Sequence, residues 1–384
     1  MQVLFVAFPA DGHVRALLPL AVAATQAGHE VVFATGADGV PVAASSGLAT
    51  MEVGTSLAEW RRESARRFGD QMGADSAGRS LSGGREGWRR AIRAFALVYA
   101  PTMVDDILKV IGGWTPDLVV YDPAALAGAV VGRLLRVPCV IHGYGVLRPV
   151  EALDAFDVAA APLWEQYGVA PPKWTGLSDD IYFDPVPPSL QAPHAVLVPR
   201  LHKIRTVERP PPGPQPDSPG VYVTFGTVFG DQALFRTVLS GISGIGVDVI
   251  ATVGGRIDPD DLGPQPDHVR IERFIPQAEI LGRVSAAVCH AGSGTLLGAL
   301  AAGVPLVMVP QGADNFWNAE ACLRAGAGSM VESAEVSPES IGDAVRSVLE
   351  DHSYAQQARD LANEIAALPS PRECLAALEI RLAG

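Results

Sequence analysis

The sequence predicts an α/β protein of two similar Rossmann-like domains, each with a parallel β-sheet covered by helices. In both halves of the 384-residue chain, apolar runs of strand length alternate with segments of helical periodicity, a pattern typical of parallel sheets. The proline-rich segment 209–220 separates the two halves, and its stiff, exposed composition does not suit a core. Ligands of such folds collect at the carboxyl ends of the strands, so we expect a site in a cleft between the domains.

The first half contains strand-length apolar runs with two clear helical segments between them. The Gly-, Ser- and Arg-rich region from Trp60 to Arg93 breaks the alternation, and we expect it to be an irregular insertion. The segment Leu147–Ser189 carries no motif and is also expected to be irregular. Strands are predicted at Val3–Phe8, Glu30–Thr35, Asp117–Tyr121, Val137–His142 and Ala195–Val198, and helices at Arg15–Ala27 and Ala124–Leu135.

The same alternation restarts after the proline-rich segment. We therefore predict an N-terminal domain over 1–208, a linker over 209–220, a second domain over 221–366 and a final helical segment over 367–384. From Ser337 the chain is expected to be helical in three pieces, the last being Pro371–Leu382. Strands are predicted at Val221–Phe225, Val247–Val253, Ala286–His290, Leu306–Val309 and Ser329–Val331, and helices at Gln232–Ser240, Leu296–Ala302 and Asn315–Ala325.

Composition excludes several classes of function. A formal net charge of −13 disfavours a nucleic-acid partner, because phosphate backbones are bound through clustered Lys and Arg. No apolar run approaches the twenty residues of a membrane-spanning helix. The first residues form a short strand without a basic leader, so we expect a cytoplasmic protein. The four cysteines form no C-x-x-C pair, which favours buried free thiols in a reducing compartment.

The most informative segment runs from Cys289 to Pro305. A buried strand ends in a turn that carries His290, Gly292 and Gly294, and an apolar helix starts near Thr295. Glycines let the backbone approach a ligand closely, and a helix N-terminus presents unsatisfied N–H groups and a positive dipole end. His290 and Thr295 add side-chain donors. The segment therefore predicts a pyrophosphate site that needs no metal ion.

His13 follows the first strand, and Asp122 follows the strand Asp117–Tyr121. A carboxylate bonded to one nitrogen of an imidazole fixes the tautomer and stabilises the imidazolium, and histidine is the side chain that titrates closest to neutral pH. The pair is thus a candidate general base with its orienting carboxylate. The alternative, that each residue only caps its own turn, stays open at the level of sequence.

Three weaker candidates also follow strands in the second half. Gly226 and Thr227 form a turn suited to a second phosphate contact. The segment Phe274-Ile275-Pro276-Gln277 could stack on and hydrogen-bond a flat ring, and Asp314 is either an N-cap or a ligand for sugar hydroxyls. No G-x-G-x-x-G follows the first strand, which disfavours a dinucleotide redox cofactor.

These pieces together resemble a family 1 glycosyltransferase of the GT-B fold, of the bacterial, actinomycete type that decorates natural products. The resemblance covers essentially the whole chain. Its most specific part is the turn His290–Thr295, followed at fixed spacing by Gly303-Val304-Pro305 and by Pro310 to Asp314. Two departures are Gly298, where many members have Glu on the ribose, and Asn315, where many have Gln.

The resemblance implies a role for each matching position. His13 with Asp122 would deprotonate the acceptor, and the last helix would cross back onto the N-terminal domain. The acceptor is expected beside the base, at Asp11, Gly12, His142 and Tyr144. The donor would be bound through the diphosphate at Gly226, Thr227, His290, Gly292, Ser293, Gly294 and Thr295, through the base at Phe274, Ile275 and Gln277, and through the sugar at Asp314 and Asn315.

The expected activity is inverting transfer of a sugar from a nucleoside-diphosphate donor to a small natural-product acceptor, with no cofactor and no metal. Because a 2′-deoxyribose needs no carboxylate at Gly298, we expect a dTDP-linked, deoxygenated sugar. Transfer to carbon rather than oxygen stays open, and so does a homodimer. Two alternatives from other classes are a nucleotide-sugar epimerase on the same fold and a non-catalytic binding protein.

Overall fold

Two parallel β-sheets, one in each half of the chain, form the framework of the computed structural model. The structure describes residues 1–69, 91–211, 220–226 and 231–383. Every strand pair in these residues is parallel, and helices connect the strands. The predicted α/β fold with two parallel-sheet domains is confirmed. Most of the predicted linker, including residues 212–219, lies outside the described residues.

The sheet of the N-terminal domain has the strand order β3-β2-β1-β4-β5-β6-β7 in the described chain. Its central strands β1, β4 and β5 are buried because they carry continuous apolar runs such as Leu-Val-Val-Tyr in β4, as expected for a sheet covered on both faces. The strands are β1 Gln2–Val6, β2 Glu30–Thr35, β3 Ala49–Glu52, β4 Leu118–Tyr121, β5 Cys139–His142, β6 Ile181–Asp184 and β7 Leu201–Lys203. The helices are α1 Asp11–Gln26, α2 Val40–Ala44, α3 Leu57–Phe68, α4 Ala100–Val110, α5 Leu126–Leu135 and α6 Val150–Gln166.

Several sequence expectations for this half are wrong. The predicted strand Ala195–Val198 lies in a 3₁₀ turn, Pro193–Leu197, because Pro193 favours a helical start and Val196 is exposed rather than buried. Of the two segments expected to be irregular, the first contains most of α3 and the second contains α6 and β6. Residues 70–90 of the first of them lie outside the described residues.

The sheet of the C-terminal domain has the order β10-β9-β8-β11-β12-β13 in the described residues. The five strands predicted here are confirmed to within two residues at either end, and β10 was missed. The strands are β8 Gly220–Thr224, β9 Asp248–Thr252, β10 Val269–Glu272, β11 Ala286–Cys289, β12 Leu306–Met308 and β13 Gly328–Met330. The helices are α7 Gln232–Ser243, α8 Gln277–Leu281, α9 Ser293–Ala301, α10 Asn315–Arg324, α11 Pro338–Glu350, α12 His352–Ala367 and α13 Pro371–Ala383.

Each domain contributes residues to the apolar core of the other. Helix α13 packs on α1, with Leu375 and Leu378 buried in the same apolar cluster as the first strand. His29 Nε2 lies 2.6 Å from Glu379 of that helix. In the opposite direction, Val186 and Leu190 of the N-terminal half belong to the core cluster of the C-terminal sheet. The last helix thus lies on the N-terminal domain, as the resemblance implied.

In each sheet the strand order reverses at one place, between β1 and β4 and between β8 and β11. Loops diverge there and leave a crevice at the strand carboxyl ends. Within the described part of the chain, no helix has the length and apolarity needed to cross a bilayer. The same residues contain no group of three or more His, Cys, Asp or Glu side chains arranged to hold a metal ion.

Candidate active site

His13 and Asp122 meet at the carboxyl edge of the N-terminal sheet, because β1 and β4 are adjacent and parallel. His13 Nδ1 lies 3.0 Å from Asp122 Oδ1. The carboxylate is fully buried and also accepts from the backbone N–H groups of Phe8 and Ala124, at 2.7 Å each. These bonds fix the carboxylate, which in turn fixes the imidazole and leaves Nε2 as the nitrogen that can accept a proton.

His13 lies in the first turn of α1 rather than in the loop expected from sequence, since the helix begins at Asp11. The rest of its surroundings are aromatic. Phe8 contacts the imidazole edge-on at 5.4 Å between ring centroids, and Tyr144 lies 4.5 Å away on a tilted plane. The side chain is 19% exposed, so the ring is held on its faces yet still open to a substrate.

Tyr144 belongs to the loop that follows β5. Its hydroxyl accepts a hydrogen bond from Arg148, and burial raises the pKa of Tyr144 to about 12. Tyr144 and Arg148 line a small pocket together with Leu147, Phe156 and Asp314. Asp314 comes from the C-terminal domain, so this pocket joins the acceptor side to the predicted sugar contact.

The other predicted acceptor residues occupy different settings. Asp11 is bonded to Arg15 on the helix surface, at 2.8 Å, and Gly12 is exposed with open space where a side chain would be. His142 is fully buried, its Nδ1 bonds to the carbonyl of Gly143 at 2.8 Å, and burial lowers its pKa to about 4. His142 therefore lies beneath the crevice, and the structure gives it no surface for an acceptor.

The predicted diphosphate turn joins β11 to α9. Helix α9 begins at Ser293, with its first intrahelical bond from Leu296 N to Gly292 O at 2.9 Å. The N–H groups of residues 293–295 consequently have no intrahelical acceptor, and the positive end of the helix dipole lies at the same place. The turn can bind an anion through its backbone alone.

The ring of His290 lies between two glycine turns. A Cβ on Gly226 would stand 2.8 Å from His290 Cε1, and one on Gly292 would stand 2.2 Å from His290 Nε2. Gly226 also has a φ of 70°, which favours glycine. Burial lowers the pKa of His290 to about 4, so the imidazole is neutral near pH 7 and keeps one N–H donor. Thr227, the other predicted residue of that turn, lies outside the described residues.

The residues predicted to face the base follow β10 and begin α8. Phe274 is 70% exposed, which suits a side chain that stacks on a ring of the ligand, and Ile275 is half-buried beside it. Gln277 Nε2 donates to Thr295 Oγ1 at 3.1 Å. A Cβ on Gly298 would lie 3.6 Å from both Gln277 Oε1 and Leu281 Cδ1, so a Cβ fits at position 298 without a clash.

Asp314 and Asn315, the predicted sugar contacts, differ in their freedom. Asp314 is half-buried, and its Oδ2 accepts from Ser293 Oγ at 2.5 Å. Asn315 is almost fully buried, and its Oδ1 accepts from the N–H groups of Gln311 and Gly312 at 3.3 and 3.2 Å. Asn315 therefore holds the turn, and Asp314 is the one of the two that can contact a sugar from this position.

Sequence reasoning gave no role to Asn318, which the structure places at the centre of this region. Its Nδ2 lies 2.9 Å from Ala291 O and 2.9 Å from Asp314 Oδ2. Its spacing in the sequence could have identified it, because Asn318 is four residues after Asp314 and residues at that spacing share one face of a helix.

Two parallel-sheet α/β domains with polar sites at their strand carboxyl ends define the class of GT-B proteins. Residues 22–203 match the N-terminal domain, and residues 236–380 the C-terminal domain, of the family described as Erythromycin biosynthesis protein CIII-like. The chain belongs to this family. Curated relatives that match nearly the whole chain are named as glycosyltransferases and sugar transferases, and this protein is a glycosyltransferase. Membership sets aside the epimerase and the non-catalytic binding protein as alternatives.

Several relatives match over nearly their whole lengths. The elloramycin glycosyltransferase of Streptomyces olivaceus is 31% identical over 98% of this chain and 97% of its own. The 10-deoxymethynolide desosaminyltransferase of Streptomyces venezuelae is 28% identical over 100% and 97%. Among solved structures, a spinosyn rhamnosyltransferase complexed with thymidine diphosphate has a TM-score of 0.80 at 27% identity, covering 99% of this chain and 100% of that one. A Streptomyces sp. SF2575 glycosyltransferase, also complexed with thymidine diphosphate, has a TM-score of 0.78 at 26% identity, covering 99% of both chains.

Proposed function

We propose that the protein transfers a deoxysugar from a dTDP-linked donor to a hydroxyl of a small natural-product acceptor, such as an antibiotic aglycone, with inversion at the anomeric carbon. The observation that carries the proposal is the fixed pair of His13 and Asp122, at 3.0 Å. Contacts link the pair to the turn His290–Thr295. Tyr144 packs against His13 and lines one pocket with Asp314, and Asp314 Oδ2 accepts from Ser293 Oγ at 2.5 Å.

In the proposed reaction, His13 Nε2 removes the proton of the acceptor hydroxyl while the oxygen attacks the anomeric carbon. The C–O bond to the diphosphate breaks, and the diphosphate leaves with the bonding electrons. Buried Asp122 stabilises the imidazolium as the proton arrives. Base catalysis of this kind is worth roughly 10²–10⁴ in rate. An acceptor that presents an activated phenol could instead attack through its ring carbon.

The negative charge of the leaving group builds up at the N-terminus of α9. The N–H groups of the first turn and the neutral imidazole of His290 are placed to donate to it, which is the electrostatic part of the catalysis. These groups supply the stabilisation that a divalent cation gives in other transferases. We therefore propose that transfer proceeds without a metal ion, and that an excess of EDTA leaves the rate unchanged.

Two observations support thymidine as the nucleoside. Two solved relatives are complexed with thymidine diphosphate, and Gly298 offers no carboxylate to a ribose 2′-hydroxyl.

The four buried free cysteines support a cytoplasmic site of action, since thiols persist in a reducing compartment.

Calorimetry of the unliganded enzyme with dTDP and with UDP tests the donor. We expect dTDP to bind more tightly; tighter binding of UDP would contradict the proposal. Incubation with donor and a panel of aglycones, followed by NMR of the anomeric centre, tests the stereochemistry. Retention would contradict the direct displacement, and a donor that isomerises without an acceptor would restore the epimerase.

A further inference from the structure

Asn318 is a fully buried side chain that contacts both domains. Its Nδ2 lies 2.9 Å from Ala291 O, 3.0 Å from Ser293 Oγ and 2.9 Å from Asp314 Oδ2. The two N–H groups of the amide are shared among these three oxygens, which all belong to the proposed donor site. Its Oδ1 accepts from Val146 N of the N-terminal domain at 3.2 Å. One amide therefore bonds the proposed diphosphate turn, the proposed sugar contact and a loop of the opposite domain.

The loop that contains Val146 also contacts His13, the proposed base. Gly145 packs closely against the proposed diphosphate turn, residues 290–295, which is called the donor turn from here on. A Cβ on Gly145 would stand 2.0 Å from Ser293 Oγ and 3.2 Å from Asn318 Oδ1. The preceding residue, Tyr144, lies 4.5 Å from the ring of His13. A continuous series of contacts thus runs from His13 through residues 144–146 to Asn318 and the turn.

The donor turn needs this support because its backbone is strained. Ala291 has a φ of 62°, a conformation that non-glycine residues rarely adopt and that surrounding contacts must hold. The bond from Asn318 to Ala291 O is one such contact. An alanine at 318 would leave this carbonyl and the N–H of Val146 without their amide partner in a buried place, which is costly for both domains at once.

We infer that Asn318 is a positioning residue that couples the docking of loop 143–148 to the shape of the donor turn. Acceptor base and donor diphosphate then reach their reactive geometry together. This inference rests on the donor site proposed above. It goes beyond that proposal because it assigns the alignment of the two half-sites to one side chain that contacts neither the acceptor nor the diphosphate.

A double-mutant cycle on Asn318→Ala and Gly145→Ala tests the coupling through the Kd of dTDP, the KM of each substrate and kcat. Asn318→Ala should raise the Kd of dTDP and lower kcat by about 3- to 10-fold, the range for one lost hydrogen bond. Gly145→Ala should change both quantities in the same direction, because its Cβ would stand 2.0 Å from Ser293 Oγ and push residues 143–148 away from the turn. If both act through the same contact, adding Gly145→Ala to Asn318→Ala should cost less than about twofold more, because coupled sites are not additive. Full additivity would overturn the inference.

Arg324→Met is the matched control. Arg324 is on the same helix α10 and also bonds across the domains, to the carbonyls of Leu190 and Gln191 at 3.1 and 3.2 Å, and neither bond involves the donor turn. It should leave the Kd of dTDP within about twofold and should combine additively with Asn318→Ala. An equal loss in Arg324→Met would mean that general docking of the domains, and not Asn318, sets the donor turn.

Two further measurements keep the outcomes distinct. If Asn318→Ala does not fold, Asn318→Ser replaces it in the cycle, and a lowered melting temperature with unchanged Kd and kcat overturns the inference. If dTDP does not bind the unmodified enzyme, or if His290→Ala binds it equally well, the proposed donor site fails. If dTDP binds and His290→Ala weakens it while the cycle is additive, only the coupling fails.

Discussion

Asp122 is held by backbone N–H groups and in turn orients the imidazole of His13. Replacing His13 by Ala removes the proposed general base, so kcat should fall by roughly 10²–10⁴. The Kd of dTDP should stay within about twofold, because His13 belongs to helix α1 of the N-terminal domain and the predicted diphosphate turn belongs to the C-terminal domain. Steady-state kinetics and calorimetry measure the two quantities.

His352→Ala is a control for the loss of a histidine, since His352 is exposed at the start of α12. It should change neither quantity. Near-normal turnover of His13→Ala on a hydroxyl acceptor would remove His13 from the mechanism.

Gly298 is the residue that we expect to set the choice of nucleoside. The Cβ of a glutamate there would fit without a clash, 3.6 Å from Gln277 Oε1. It would offer a carboxylate to ribose hydroxyls, so Gly298→Glu should improve UDP binding relative to dTDP by about 10-fold, the effect of one charged hydrogen bond. Gly298→Ala, which adds volume without a carboxylate, should leave the ratio unchanged. Calorimetry with both nucleotides checks this, and an unchanged ratio in the glutamate variant would exclude Gly298 as the determinant.

Two buried histidines predict an acid-sensitive fold. Burial lowers the pKa of His142 and of His290 to about 4, below the usual value near 6.5. Between these values the unfolded chain binds a proton that the folded chain does not, so the free energy of unfolding falls as pH falls from about 6.5 to 4. Each histidine contributes roughly 3 kcal/mol at full effect. Denaturant titrations at several pH values should show this loss, and His142→Gln should reduce it.

At the scale of elements, the N-terminus of α9 depends on two glycines for different reasons. A Cβ on Gly292 would meet the His290 ring at 2.2 Å, whereas one on Gly294 would meet nothing within 4 Å. Gly292→Ala should therefore lower the melting temperature of the unliganded enzyme as well as the affinity for dTDP. Gly294→Ala should lower the affinity alone, because only an approaching diphosphate would meet the added methyl group. Thermal melts with and without dTDP compare the two, and equal dTDP affinity in Gly294→Ala would place the diphosphate away from this turn.

The elements that sequence predicted best are the buried strands, because a short continuous apolar run bounded by turn residues is typical of a strand covered on both faces. The misses have physical causes. Strand β10 lies at a sheet edge with a mixed Val-Arg-Ile-Glu sequence. Strand β7, Leu-His-Lys, also lies at a sheet edge, and all three of its residues are only half-buried. Helix α6 carries Pro162 in its interior, a residue that argues against a helix until tertiary packing supports it.

At the scale of the whole molecule, helix α13 ties the end of the chain to the first domain. Leu378 is buried in the cluster that includes the first strand. Leu378→Ala should lower the free energy of unfolding by about 2–5 kcal/mol, as is usual for a buried leucine. Ile380→Ala on the same helix, where the side chain is 76% exposed, should change it by less than about 0.5 kcal/mol. Urea denaturation measures both, and equal effects would mean that α13 does not stabilise the domain through its buried face.

Sequence reasoning located the two halves of the candidate site but not the contacts between them. It placed His13 and Asp122 together because adjacent parallel strands end at one edge, and the structure brings them within 3.0 Å. It placed Asn315 with Asp314 as a sugar contact, yet Asn315 is committed to its own turn. Hydrogen bonds between side chains of different elements depend on rotamers and packing, which no local pattern encodes.

The sequence by itself determined the α/β class, the order of most strands along the chain and the residues that follow them, because burial and turn chemistry are local. Only the tertiary structure decided how the domains meet. Val146 N–H donates to Asn318, and Gly145 contacts the donor turn, although these residues are far apart in the chain. The burial of His142 likewise depends on the folded chain around it. Such contacts arise only when two separately specified surfaces pack against each other.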